Sequence, residues 1–264
     1  MSSTSSAASG FANRHIWVIG GAGWLGQATV RALAEAGAQV LCADLPGRSA
    51  EFLEKSGLVG GNVRAADLDA HNADELLPFV KDQVQAHGCP HGLVNLTYAS
   101  TPNKLADLTA AEFDKVNHGN LTCTFVLARA VADLMAEAGR GSIVLFSSMY
   151  GTVAPDPGIY KIPMNPNPIE YGVNKAGIRQ MARYLAVHYG RRGVRCNSIS
   201  PGPFPNPVIQ EKQPDFIENL SQKVPLGRIG QPSEIAGAVN FLLSEASGYI
   251  TGVDLPVDGG WTAW

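Results

Sequence analysis

The chain is 264 residues long, with 45% hydrophobic residues, 16% charged residues and a formal net charge of −3. That is ordinary globular composition, with enough apolar material for a core, and it carries no basic run of five residues, so it shows no electrostatic footprint for nucleic acid or an anionic membrane. The four cysteines (Cys42, Cys89, Cys123, Cys196) form no CxxC pair and the six histidines no HExxH pair, which argues against a zinc site or disulfide framework and for buried reduced thiols.

Met1 to Gly10 is rich in Ser and Ala and lacks the basic and apolar regions of a signal peptide, so a disordered tail is expected over 1–13, followed by one domain over 14–264. No segment approaches the roughly 20 apolar residues that cross a bilayer. We therefore expect a cytoplasmic protein without membrane or nucleic-acid partners. His15 to Gly20 is a short apolar run that reads as a buried strand. Leu25, Ala28, Ala32, Leu33 and Ala36 then recur at helical spacing until Gly37, and Gln39 to Ala43 is a second apolar strand. Strand, glycine-rich turn, helix and strand make a parallel βαβ unit.

The turn reads Gly20-Gly21-Ala22-Gly23-Trp24-Leu25-Gly26. Glycines let a pyrophosphate approach the helix N-terminus, whose unpaired N–H groups favour anions. Gly20, Gly23, Trp24, Leu25 and Gly26 are the candidate cofactor contacts. Asp44, at the end of the second strand, can accept hydrogen bonds from an adenosine ribose and would repel a 2′-phosphate. NAD(H) is thus expected ahead of NADP(H), with Arg48 near enough to keep NADP(H) open. The alternative for Asp44 is a carboxylate that serves only its own loop.

Further strands are expected at Leu93–Asn95, Ser142–Phe146, Val194–Ile199 and Leu255–Val257, and helices at Phe113–Ala138, Tyr171–Tyr189 and Pro232–Glu245. The pattern predicts an α/β fold: one doubly wound, Rossmann-like domain whose parallel sheet carries helices on both faces. Residues 155–168 hold five prolines and read as a long, stiff and functional loop. On the helix from Tyr171, Lys175 lies one turn further along the same face. A cation there would lower the phenol pKa towards working pH for general acid–base chemistry. Ser148, at a strand end, could hold a substrate oxygen.

Taken in order, the glycine turn, Asp44, Ala66-Asp67-Leu68, Leu93-Val94-Asn95, Gly119-Asn120-Leu121-Thr122, Ser147-Ser148, Tyr171-x-x-x-Lys175, Arg195-Cys-Asn-Ser-Ile-Ser-Pro201-Gly202 and Val257-Asp-Gly-Gly260 resemble the short-chain dehydrogenase/reductase superfamily, from about Arg14 to the C-terminus. The resemblance implies direct hydride transfer between a nicotinamide and an alcohol or ketone without a metal. It makes Tyr171 the acid/base, Ser148 the group that orients the reacting oxygen, Lys175 the residue that lowers the Tyr171 pKa and binds the nicotinamide ribose, and Asn120 the holder of a relay water. Asp67 and Leu68 would contact adenine, Asn95 would sit beside the adenosine ribose, and Pro201, Gly202 and Phe204 would line the nicotinamide pocket. Residues 203–224 would form a mobile substrate lid, and the protein would be a homotetramer or homodimer with its apolar Trp261-Thr-Ala-Trp264 tail buried at a subunit contact.

The sequence departs from the family pattern in places. Trp24 stands where the turn's middle glycine is usual, Ile19 replaces a threonine, Tyr98 replaces a glycine, and Asn206 is the nearest stand-in for a threonine after Pro-Gly. Ser148 and Tyr171 are 23 positions apart, wider than the family norm because the Pro-rich segment is inserted. That segment and its flanks carry Tyr150, Tyr160, Lys161, Asn165, Asn167 and Glu170, a set suited to hydroxyls or a phosphate. The insertion and the C-terminal segment look similar to bacterial oxidoreductases associated with surface-sugar and flagellin-glycan modification, which implies a sugar- or polyol-like substrate. The alternatives are a 3-oxoacyl-thioester reductase and a non-catalytic dinucleotide-binding regulatory protein.

Overall fold

The computed structural model describes residues 10–161 and 164–264. Seven strands form one parallel sheet: β1 (His15–Ile19), β2 (Gln39–Asp44), β3 (Val63–Asp67), β4 (Gly92–Asn95), β5 (Gly141–Phe146), β6 (Val194–Pro201) and β7 (Asp254–Val257), in the order β3-β2-β1-β4-β5-β6-β7. The α-helices are α1 (Trp24–Glu35), α2 (Arg48–Ser56), α3 (Ala73–His87), α4 (Ala110–Asn117), α5 (Cys123–Glu137), α6 (Ile169–Tyr189), α7 (Pro207–Lys212), α8 (Pro214–Lys223) and α9 (Pro232–Leu243).

Both faces of the sheet are buried, so the strands read as continuous apolar runs while their side chains still alternate between faces. Along β1, Trp17 and Ile19 join one core with Leu93, Leu127, Leu145 and Leu185, on the side of α3, α5 and α6. Ile16 and Val18 join the other with Val30, Leu33, Val239 and Leu242, on the side of α1 and α9. This is the doubly wound arrangement expected from the sequence. Ile19 is in register with Ala43 on one side and Asn95 on the other. The strand order reverses between β1 and β4, so their C-terminal ends open the crevice where ligands bind in such sheets.

Four features differ from the expectation. The tail boundary is too generous: residues 1–9 lie outside the described residues, but Phe11 is buried in the core beside α1 and β1. The edge strand β3, with its half-exposed VRAAD pattern, has too little apolar character to be legible as a strand. The expected helix Phe113–Ala138 is α4 and α5 joined by a π-helical segment, His118–Thr122. Last, Trp261 is buried within its own chain against Tyr150, Ile159 and Leu220, because Asp258 accepts from Gly260 N–H and Thr262 N–H and folds the tail back. Trp264 alone of the two tryptophans is exposed.

Candidate active site

A cavity of about 760 Å³ runs along the C-terminal ends of the strands, from Asp44 and Arg48 at one end, past Tyr171, to Tyr160 at the other. Its phosphate end is built by glycine. Gly20 has φ +80°, and its N–H donates to the Ala43 carbonyl at 2.8 Å. A Cβ on Gly26 would lie 2.2 Å from the Gly20 carbonyl oxygen, so only glycine lets α1 start this close to the turn. Gly23, extended, precedes the helix without a side-chain cap. The first N–H groups of α1 therefore face the cavity with no cap of their own, and this is the observation that fits a dinucleotide pyrophosphate. Trp24 is the first residue of α1 and has no positive φ. Its backbone thus meets no strain, and its half-exposed ring stands at the cavity wall with Leu25.

Asp44 is buried. Its carboxylate accepts from Ala22 N–H at 3.0 Å, Leu45 N–H at 2.9 Å and the Arg48 guanidinium at 2.8 Å. It therefore serves its own loop and faces the cavity together with Arg48. Leu68 lines the cavity too. Asp67 does not: its carboxylate takes the Gly47 N–H at 3.0 Å. Nor does Asn95, whose amide is buried between Thr97 and Thr124. Both brace the walls through the turns they hold. Pro201, Gly202 and Phe204 line the cavity as expected. Gly202 has to be glycine, since a Cβ would lie 2.5 Å from the Asp258 Cα.

At the centre, Ser148 ends the strand extension of β5 and Tyr171 sits in the first turn of α6. The Ser148 hydroxyl accepts the Tyr150 N–H at 3.1 Å and lines the same cavity as the Tyr171 phenol, whose pKa it pulls down. It is a turn former and a site residue at once. Ser147 ties the same strand end to α6 through the Lys175 carbonyl at 2.7 Å. Lys175 is buried, donates to the Phe146 carbonyl at 2.8 Å and lies 5.5 Å from the Tyr171 ring centroid.

Burial dominates both titrations. It pushes the Tyr171 phenol up to about 12, against the opposing pull of the Ser148 hydrogen bond, and pushes the Lys175 amine down to about 7. The expected lowering of the phenol by a neighbouring cation is therefore not found: burial outweighs it. The amine sits over the ring face with its hydrogen bond taken by a carbonyl, in surroundings that disfavour its own charge.

The Asn120 side-chain nitrogen donates to the Ala99 carbonyl and its oxygen accepts the Ala99 N–H, both at 2.7 Å. The side chain is thus a clamp on the loop after β4. That loop carries Tyr98, whose ring meets Tyr171 edge-to-face at 6.0 Å. A second tether fastens it: the buried Glu170 accepts from Thr101 N–H at 2.9 Å and from its hydroxyl at 2.7 Å. No sequence signal announces either tether, because each joins residues far apart in the chain through backbone groups.

Of the polar set around the insertion, Tyr150, Tyr160, Asn165 and Asn167 line the cavity. Lys161 instead pairs with Asp215 at 3.8 Å, and Glu170 is committed to Thr101. The segment over 203–224 contributes Asn206, Ile209, Phe216 and Leu220 to the wall. Phe216 and Leu220 follow from the helical face of α8 only once its partner loop is known. Among the described residues, no helix is long and apolar enough to cross a membrane, and no three His, Cys, Asp or Glu side chains group to hold a metal.

Comparison with known proteins agrees with this geometry. Residues 21–262 match the family described as Enoyl-(Acyl carrier protein) reductase. The chain is 31% identical over 246 residues to the 2,5-dichloro-2,5-cyclohexadiene-1,4-diol dehydrogenase of Sphingobium indicum, covering 93% of this chain and 94% of that one. A short-chain dehydrogenase from Leptospira borgpetersenii with bound NAD+ superposes with a TM-score of 0.85 at 32% identity, over 99% of this chain and 98% of that one. A gluconate 5-dehydrogenase from Burkholderia cenocepacia, in complex with NADP and tartrate, superposes with a TM-score of 0.85 at 25% identity, over 96% and 97%. The chain belongs to the short-chain dehydrogenase/reductase superfamily and is an NAD(P)-dependent oxidoreductase acting on CH–OH groups.

Proposed function

We propose that the protein interconverts a secondary alcohol and a ketone on a sugar- or polyol-like substrate, with NAD(H) preferred, and that Tyr171 is its proton-transfer group. The observation that carries this is the meeting of Ser148, Tyr171 and Lys175 in one cavity with the uncapped N-terminus of α1. When bound, the nicotinamide supplies the hydride acceptor or donor. In the oxidising direction, Ser148 donates to the substrate oxygen and Tyr171, having passed its own proton to the Lys175 amine, takes the hydroxyl proton while the C–H bond breaks. Reduction runs the same steps backwards. Lys175 would hold the nicotinamide ribose and pass the proton onward, and Asn120, in the π-helical segment, would hold the relay water. A π-helical turn inside an α-helix is a recurring feature of functional sites.

The NAD(H) preference rests on the Asp44 carboxylate at the cavity's ribose end; Arg48 beside it lets NADP(H) bind more weakly. Leu68 would hold the adenine, with Asp67 and Asn95 bracing the turns around it. The substrate class rests on hydroxyl- and amide-bearing side chains beyond Tyr171, and its direction agrees with the likeness to oxidoreductases associated with surface-sugar and flagellin-glycan modification. Residues 203–224 close over the bound pair. A cytoplasmic homotetramer or homodimer is the assembly we propose.

The second reading, a 3-oxoacyl-thioester reductase, draws on the 31% identity to the 3-oxoacyl-[acyl-carrier-protein] reductase of Thermotoga maritima, over 92% of this chain and 95% of that one. Reduction of NAD+ followed at 340 nm against sugars and polyols, beside oxidation of NADPH with an acetoacetyl thioester, decides between them. Turnover of the polyols with NAD+ supports the first reading; turnover of the thioester alone, with NADPH, overturns it.

A further inference from the structure

Beyond the reacting centre, the cavity ends in a wall that hydride transfer does not use. Tyr150 stands two residues after Ser148, and Tyr160 belongs to the inserted loop. Their hydroxyls meet at 2.7 Å and both side chains line the cavity. Two phenols carry two hydroxyl hydrogens, and the bond between them uses one. Among the described residues no acceptor takes the other, so the pair presents a spare donor to the cavity.

The surroundings define what that donor meets. The Phe216 ring packs on Tyr160 at 5.4 Å, tilted by 40°, and Tyr98 stands edge-on to Tyr171 across the opening. Of the charged side chains in the cavity wall, Asp44 ends β2, Arg48 starts α2 and Lys175 lies under Tyr171. The charges of the loop itself are turned aside: Lys161 pairs with Asp215, and Asp156 with Lys223. A carboxylate or phosphate bound here would meet no cation, whereas an uncharged ring would meet aromatic surface and one hydrogen-bond donor.

The geometry points to a second polar subsite at the Tyr150–Tyr160 hydroxyl pair, which binds a hydroxyl or carbonyl oxygen of a neutral, ring-shaped substrate remote from the reacting carbon. This rests on the alcohol–ketone reading above and narrows it to uncharged cyclic polyols. The subsite discriminates because a substrate without the remote oxygen leaves the phenol donor unpaired in a closed cavity.

The test compares cyclohexanol with cyclohexane-1,3- and 1,4-diols as substrates for the wild type, Tyr160→Phe and Tyr150→Phe/Tyr160→Phe, with the exposed Tyr249→Phe as control. The readout is the ratio of kcat/KM for the better diol to that for cyclohexanol. The wild type and the control should favour the diol by about tenfold, the discrimination of one neutral hydrogen bond; the ratio should fall in Tyr160→Phe, where Tyr150 keeps a hydroxyl, and reach near one in the double variant, chiefly through KM for the diol. A wild type that does not favour either diol, or a ratio unchanged by removing both hydroxyls, overturns the subsite while leaving the oxidoreductase reading intact. Failure of the wild type to oxidise any of the three alcohols, with NADH binding intact, overturns both.

Discussion

Replacing Asp44 with Asn isolates the charge that sets cofactor preference, because the two side chains share a shape. In the structure this carboxylate accepts two backbone N–H groups and the Arg48 guanidinium at 2.8–3.0 Å. A 2′-phosphate about 5 Å away would meet one unit of repulsion worth ~3 kcal/mol at an effective dielectric constant near 20. Arg48 already cancels part of it, which leaves roughly 1.5–3 kcal/mol. Removing the charge also frees Arg48 to meet the phosphate. The ratio of the NADPH to the NADH dissociation constant should therefore fall by about 10- to 100-fold, read by fluorescence titration of each reduced cofactor. One N–H loses its acceptor, so stability should drop by about 1–3 kcal/mol, seen as a Tm lower by a few degrees. A ratio unchanged within a factor of two, with the Tm lowered, would show that the carboxylate serves only its loop.

Gly26→Ala places a Cβ 2.2 Å from the Gly20 carbonyl, so the turn has to open; NADH affinity should fall at least about tenfold and stability by ~3 kcal/mol, measured by titration and thermal melting. Asn120→Ala strips both hydrogen bonds from Ala99 and should cost about 2–4 kcal/mol together with a lower kcat, because the loop bearing Tyr98 loosens. The pH dependence of stability has a definite sign. Lys175 has its folded pKa lowered to about 7 from 10.5, so between those values the unfolded chain binds more protons and stability rises with pH. Above about pH 9 the raised thiols of Cys42 and Cys196 oppose that rise, and above about pH 10 the raised Tyr171 value joins them, because the folded protein then binds more protons. Wild-type Tm should thus climb from pH 7 to about pH 9, and Lys175→Met should flatten that climb; an equal climb in both would remove Lys175 as its source.

The parts of the fold legible in the sequence are those fixed locally. Trp17 and Ile19 alternate with Ile16 and Val18 to fill both cores, and such doubly buried strands leave an apolar run anyone can see. Tyr171 and Lys175 share a helix face by spacing alone, and the glycine turn follows from positive φ and close approach. What was not legible depends on partners distant in the chain. The phenol's upward shift comes from burial among residues of other loops, the Asn120 clamp from the placement of Ala99, and the uncharged substrate wall from Asp215 drawing Lys161 away. Trp24 meets no backbone strain for a local reason that the sequence alone could not supply: the helix begins at that residue.

The central claim is that the Tyr171 hydroxyl moves the proton. Tyr171→Phe keeps the ring against Tyr98 and removes only that oxygen. The account predicts a kcat lower by at least about 100-fold, on the scale of general acid–base catalysis, with the NADH dissociation constant changed less than about threefold. Turnover within tenfold of wild type, at unchanged cofactor affinity, would contradict it.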